Sequence, residues 1–199
     1  MKKRIAALGF LFFLLFLLPA RALADEPASV PQSWLSILLQ AAVCGDYDAG
    51  RAAAWCFNEE LDARGSLDAR IDFDELLWLA KLIAWEADSD RIGIEWRECI
   101  GEVVLNRVAS PEFPDSVEEV VCQEDAYPGT DGEEFRFFFV PDEDSVNAAL
   151  ALLRGERRLS PWVVWQSSVS LGSRDYARYY DEEWGVMYFC ASAHPELYR

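Results

Sequence analysis

The chain of 199 residues is long enough for one domain with a sizeable core, and about half of it is apolar by composition (52%). Its formal charge of −17 argues against nucleic-acid or anionic-membrane binding, both of which need basic patches. A single histidine, His194 in the C-terminal tail, argues against a Ser-His-Asp or Cys-His nucleophile and a histidine-rich zinc site.

Residues 1–24 read as a secretory signal. Lys2, Lys3 and Arg4 precede an apolar run from Phe10 to Leu18, and Ala22-Leu23-Ala24 has the small-x-small pattern of a cleavage site. The run is short for a membrane span, so the expected product is exported, begins near Asp25 and makes no stable membrane insertion. Without Lys2, Lys3, Arg4 and Arg21 its charge is −21. An anchored, uncleaved signal is the alternative. None of the five cysteines forms a CxxC pair, and the odd count leaves one over in any disulfide scheme. Cys44 and Cys56 flank a helix–helix turn and are a candidate pair.

Residues 25–66 read as a linker and a helical hairpin. Ser33 caps a helix to about Val43 with Gly45 as its stop, and Tyr47 to Arg64 forms the second helix. Residues 67–199 form the main domain. Asp72 with Glu75 resembles a capping box for a helix over 74–90. Between Leu76 and Ala87 every residue is apolar except Lys81 and Glu86, so this helix is expected inside the protein. Lys81 lies five positions before Glu86, about 140° around the helix, and is poorly placed to neutralise it. A carboxyl in apolar surroundings keeps its proton toward neutrality, as a general acid must. The alternative is a helix-end glutamate reaching solvent beside Asp88 and Asp90.

A second helix spans 96–109, with Trp96, Ile100, Val103, Val104 and Val108 at helical spacing and Cys99, Glu102 and Asn106 on an adjoining stripe. Pro111 and Pro114 break the chain, and Ser116 with Glu119 caps a short helix to about Cys122. Residues 125–134 are a Gly- and Pro-containing loop, and Phe135–Val140 is a short strand or a cleft wall. Residues 142–154 have helical spacing, and 162–166 and 186–190 are β-rich runs expected to pair antiparallel. The fold class is α+β, helix-dominated, with one small antiparallel sheet. No Gly-rich phosphate loop occurs, and the acid–base groups left are carboxylates, which suit glycosidic cleavage.

Several stretches together resemble the SleB-type cell wall hydrolase family. They are Trp85-Glu86-Ala87, the helix Val103–Val108, the turn Ser110-Pro111-Glu112-Phe113-Pro114, Cys122-Gln123, Val163–Gln166 and Met187–Cys190, in matching order across roughly residues 70–192. The resemblance implies a lysozyme-like catalytic domain that cleaves the MurNAc–GlcNAc β-1,4 bond of peptidoglycan. Glu86 is then the single general acid/base of a lytic transglycosylase or muramidase, with no metal or cofactor. Its partner is the peptidoglycan glycan strand, met by a secreted, wall-located monomer. Candidate substrate-binding residues are Asn106, Arg107, Tyr127, Trp165, Gln166 and Tyr188. Asn106 either orients Glu86 and the sugar or ties two helices together. Arg107 matches the family but also suits a structural role at a helix end. Tyr127, Trp165 and Tyr188 are candidates for stacking on sugar faces, with core packing as the alternative. Asp88, Asp90 and Glu102 are the candidates for a second acid, each also readable as a loop-end or helix-surface charge. Two departures stand out: Asp88-Ser89-Asp90 replaces the family's usual Gly-Glu ending, and Ala126-Tyr127 replaces a Gln before the aromatic. The rival to an enzyme is a non-catalytic wall-binding protein that keeps the fold.

Overall fold

The computed structural model describes residues 34–63, 70–87 and 91–198. Ser33–Arg199 forms one compact unit. The signal stretch, the linker, Asp88, Ser89 and Asp90 lie outside the described residues.

Helices α1 (Trp34–Cys44) and α2 (Tyr47–Ala63) form the expected hairpin. Gly45 takes φ +66°, a backbone that costs glycine little, and so ends α1. Cys44 and Cys56 are both free thiols, as are the other three cysteines. The hairpin is not a loose appendage. Leu38, Ala41, Ala42, Ala53 and Ala54 belong to the same hydrophobic cluster as the rest of the core. Asn58 binds both the N–H and the carbonyl of Ile71 (2.8 and 2.9 Å), and Gly50 leaves room for the Phe73 ring, where any Cβ would clash.

Helix α3 (Phe73–Glu86) starts at Asp72, whose carboxylate accepts from Asp74 N and Glu75 N. Such a cap is worth about 1 kcal/mol. Leu76, Leu77, Leu79, Leu82 and Ile83 are essentially without exposure. Each such side chain contributes about 1.5–3 kcal/mol on burial, so α3 is the spine of the core. The helix ends at Glu86, not at Asp90 as the polarity pattern suggested: Ala87 is its C-cap, with φ −108° and ψ 45°. Lys81 is buried too. Its ammonium donates to the carbonyls of Phe135 and Arg136 (3.3 and 3.0 Å), away from Glu86.

Helix α4 (Ile94–Val108) packs across α3. Gly101 permits the close approach, because a Cβ there would lie 2.6 Å from Leu152 and 2.7 Å from Ile83. Helix α5 (Val117–Val121) begins at the expected Ser116 cap. Residues Glu134–Phe138 form one π-helical turn instead of a strand. Its inward residue, Phe135, packs on Trp78 and Trp85 of α3. Helix α6 (Glu143–Leu153) is capped by Asp142. Burial pushes the Asp142 carboxyl up, but the bonds from Ser145 and the Arg97 guanidinium outweigh it and hold it below its ordinary value.

Strands β1 (Val163–Ser167), β2 (Asp175–Asp181) and β3 (Gly185–Ala191) make one antiparallel sheet in the order β1-β3-β2. The pairing of β1 with β3 is as expected. The polar stretch between them holds the strand that periodicity missed. Residues Asp175, Tyr176, Arg178 and Tyr180 of β2 are exposed, so the edge strand lacks the alternating apolar signal of a half-buried one.

Glu102 was expected as a helix-surface charge or second acid. It is instead fully buried, and its Oε2 accepts from the backbone N–H of Arg158 and Leu159 (2.6 and 2.9 Å). Burial pushes its carboxyl up, against the pull of those two amides. It anchors the loop between α6 and β1. Replacing Glu102 with alanine orphans two amides and should cost about 1–3 kcal/mol per unsatisfied buried group. Glu102→Gln keeps an acceptor and should lose clearly less. Urea denaturation of the two variants measures the difference, and equal losses would refute the anchoring role.

Candidate active site

Glu86 is the last residue of α3, so its side chain leaves the buried spine where the chain turns away. It opens into a cleft of about 430 Å³ whose walls include Trp85, Trp96, Trp184, Pro128 and Met187. Among the described residues lining this cleft, Glu86 is the sole acid. Each wall has a local cause. Trp85 is fixed by its indole N–H donating to Pro128 O (3.1 Å) and by edge contacts with Phe135 and Phe139. Gly129, at φ +87°, sits against the same indole, where a Cβ would come within 3.1 Å. Trp96 stacks on Tyr179 of β2 with ring centroids 5.5 Å apart. Trp184 is placed by the β2–β3 turn, where the Asp181 carboxylate accepts from Glu183 N and Trp184 N (2.8 and 3.1 Å). Arg91, just before α4, pairs with Glu183 on that turn, so an exposed ion pair joins the two sides.

Gln166, on β1, donates from Nε2 to Glu86 Oε2 at 3.1 Å. Its position follows from how α4 is joined to β1. Asn106 donates to Ser160 O and Val163 O (3.1 and 2.9 Å), and Arg107 Nε donates to Val164 O (2.7 Å). A bulge between Val163 and Trp165 breaks the pairing with β3, and both Val163 and Val164 are buried there. The C-terminal turn of α4 therefore holds the start of β1 in place, and Gln166 follows two residues beyond Val164.

Arg107 is 2% exposed and makes no ion pair within 4 Å among the described residues. Its guanidinium lies over the rings of Tyr127, Phe113 and Trp165 at 4.9, 5.1 and 5.2 Å from their centroids. Burial pushes the Glu86 carboxyl above its ordinary value, while the Gln166 bond and the Arg107 charge pull it partly back. Burial likewise pushes the Tyr127 hydroxyl up to about 12.

Of the residues singled out from sequence, Glu86 and Gln166 meet directly and Arg107 acts on Glu86 from beneath. Asn106 takes the tying role, spending its amide on backbone carbonyls of the β1 approach rather than on the cleft. Tyr127, 4% exposed and covered by Arg107, has no face free for a sugar. Trp165 is used in the same cage, edge-on to Phe113. Tyr188, on β3, is not among the residues that line the cleft. The cleft's aromatic walls are Trp85, Trp96 and Trp184, which sequence reasoning did not single out as site residues. The repeated tryptophans flanking Glu86 were the available signal. His194 is exposed beside Glu196 in the tail. Among the described residues, no group of three or more His, Cys, Asp or Glu side chains is arranged to hold a metal ion.

An isolated raised carboxyl among tryptophans, oriented by an amide, can give a proton to a leaving oxygen and take one back. Comparison with protein families finds that residues 95–165 match the family model described as Cell Wall Hydrolase. This stretch is a SleB-type cell wall hydrolase domain. The match starts after Glu86 and ends one residue before Gln166, so it covers the α4 end, the aromatic cage and most of β1. No curated protein and no solved structure matches the chain.

The raised Glu86 carboxyl has a stability consequence with a definite sign. The folded state holds this proton more tightly than the unfolded chain, so stability falls as pH rises from the ordinary glutamate value through the raised one. Glu86→Gln removes that loss. Its melting temperature should equal the parent's in acid, exceed it increasingly across this window, and then level off. Thermal melts of both chains across pH check this, and a pH-independent difference would mean that burial does not disfavour the carboxylate.

Proposed function

We propose that the protein is an exported enzyme that cleaves the MurNAc–GlcNAc β-1,4 bond of peptidoglycan on a lysozyme-like catalytic scaffold, with Glu86 as the general acid/base. The observation that carries this reading is the Glu86 carboxyl, protonation-favoured by burial, held by Gln166 and, among the described residues, the one acid lining a tryptophan-walled cleft. The hydrolase match over residues 95–165 supports a cell-wall substrate.

The chemistry needs one proton shuttle. Glu86 gives its proton to the glycosidic oxygen as the C–O bond breaks, and the leaving sugar departs as an alcohol. The Glu86 anion then takes a proton from the nucleophile. That nucleophile is the same sugar's 6-hydroxyl, giving a 1,6-anhydro end, or water, giving a reducing end. A hydrolytic pair of carboxylates would need a second acid in the cleft. Glu102, the described candidate for that role, is occupied elsewhere by the Arg158 and Leu159 amides. Arg107 stabilises the anion formed after transfer, and the proton taken from the nucleophile regenerates the Glu86 acid for the next cycle. No helix among the described residues is long and apolar enough to cross a membrane. Export rests on the signal-like residues 1–24, and location at the wall follows from the substrate.

Glu86→Gln keeps the hydrogen-bonding shape but cannot transfer a proton, and general acid–base help is worth about 10²–10⁴ in rate. The variant should fold and be slower by that factor in a peptidoglycan digest followed by mass spectrometry. The parent digest should contain anhydro-MurNAc ends. A parent that releases nothing would support the wall-binding alternative, and a fully active Glu86→Gln would move the chemistry to another residue.

Gln166→Leu removes one of the two influences that lower the Glu86 carboxyl, so its acid form should persist to higher pH. The alkaline limb of the kcat/KM profile should move up relative to the parent. An unmoved limb would show that the Gln166 bond does not reach the titrating proton.

A further inference from the structure

Three tryptophans wall the Glu86 cleft, and what surrounds each of them differs. Trp85 is packed by Phe135 and Phe139, backed by Gly129, and its indole N–H is spent on Pro128 O. Trp96 is 6% exposed and has Tyr179 stacked on one face. Trp184 is 47% exposed. Among the described residues, no ring packs on it and no guanidinium or ammonium covers it. Trp85 and Trp96 are therefore committed to the protein, and Trp184 is not.

The backbone that carries this indole is held on both sides. The Asp181 carboxylate accepts from Glu183 N and Trp184 N, and Gly185, at φ +78°, turns the chain into β3 as a residue with a Cβ could not do without strain. From the chain just before α4, Arg91 pairs with Glu183 and reaches Asp181 at 3.8 Å. A tryptophan on a fixed backbone gives up only two side-chain torsions on binding, so it offers a large contact at low entropic cost. The rest of the lining defines what it would meet. Ile92, Val186 and Met187 are apolar, Ser168 adds a hydroxyl, and no lysine or arginine lines the cleft among the described residues. An anionic group finds no cation there. A neutral pyranose ring has an apolar C–H face that suits the electron-rich face of an indole, and edge hydroxyls that suit Ser168 and Gln166.

We propose that Trp184 is the substrate-recognition residue of the cleft, the face on which a neutral N-acetylglucosamine ring of the glycan strand stacks. The proposal rests on the glycan-cleaving reading of the Glu86 cleft and adds to it the side chain that selects the sugar. Because Trp184 is half-exposed and packs on no other ring, its truncation should leave the melting temperature near that of the parent.

The test uses the full chain carrying Glu86→Gln, titrated with a peptide-free N-acetylglucosamine hexasaccharide and followed by calorimetry and by NMR of the tryptophan indole N–H groups. The Trp184 indole should shift on binding. Adding Trp184→Ala should weaken affinity about tenfold, as for loss of one aromatic face, and Trp184→Tyr should restore most of it. In the chain with Glu86 intact, Trp184→Ala should raise KM on polymeric peptidoglycan by a similar factor, with a smaller change in kcat. Unchanged affinity in Trp184→Ala, a Trp184→Tyr chain as weak as the alanine variant, an unshifted Trp184 indole, or no binding of the hexasaccharide would each overturn the proposal. Digestion by the parent chain reports separately on the glycan-cleaving reading. A parent that binds the hexasaccharide through Trp184 and cleaves nothing defeats that reading and leaves the stacking role standing.

Discussion

A guanidinium buried at 2% exposure is the constraint around which the site is built. Arginine does not shed its proton in a protein, so Arg107 cannot escape the cost of burial by neutralising. The fold compensates in three ways: a carbonyl of β1, three aromatic faces, and the glutamate above. Each compensation fixes something else. The carbonyl bond ties α4 to β1. The faces consume Tyr127, Phe113 and Trp165. The glutamate is drawn partly back toward its ordinary ionisation. Desolvated cation–ring contacts are worth up to about 2 kcal/mol, enough to make this cage a rigid support rather than a loose packing feature.

The electrostatics of the cleft follow from two opposed effects on one carboxyl. Burial at the end of an apolar helix favours the acid, and the cation below together with the Gln166 amide favours the anion. In the proposed reaction Glu86 first gives and then accepts a proton, and such a group works best with both states within reach. Neither effect alone supplies that. An unopposed burial would leave the carboxyl unwilling to ionise, and an ion pair with Arg107 would leave it unwilling to hold a proton. Gln166 and the aromatic cage separate the two outcomes, because the arginine is engaged with rings and backbone instead of closing on Glu86.

Around this centre the chain is strongly acidic, at −17 overall. An acidic protein is repelled by an anionic polymer at long range, with the effect screened over about 8 Å at physiological salt. Contact with a wall would then depend on short-range stacking and hydrogen bonding. The tryptophans of the cleft are groups of that kind, since they do not depend on a net positive surface.

Local chemistry was legible from the order of residues. The two apolar β-runs were legible as strands, and the apolar run of α3 ending at Glu86, the caps at Asp72 and Ser116 and the glycine stop at Gly45 are dictated by neighbours a few positions apart. So is the restriction to carboxylate chemistry in a chain with one tail histidine. Tertiary structure decided what periodicity cannot carry. Glu102 lies on a stripe that looks solvent-facing, and only the distant Arg158–Leu159 backbone makes its burial tolerable. Strand β2 is an edge held by β3 that turns Ala177 and Tyr179 inward but carries Tyr176 and Tyr180 outward, so its residues show no clear apolar alternation. Trp85, Trp96 and Trp184 become cleft walls, while Tyr127 and Trp165 become the cage of Arg107. An aromatic residue serves equally as core, support or sugar platform, and which it becomes depends on groups that arrive from elsewhere in the chain.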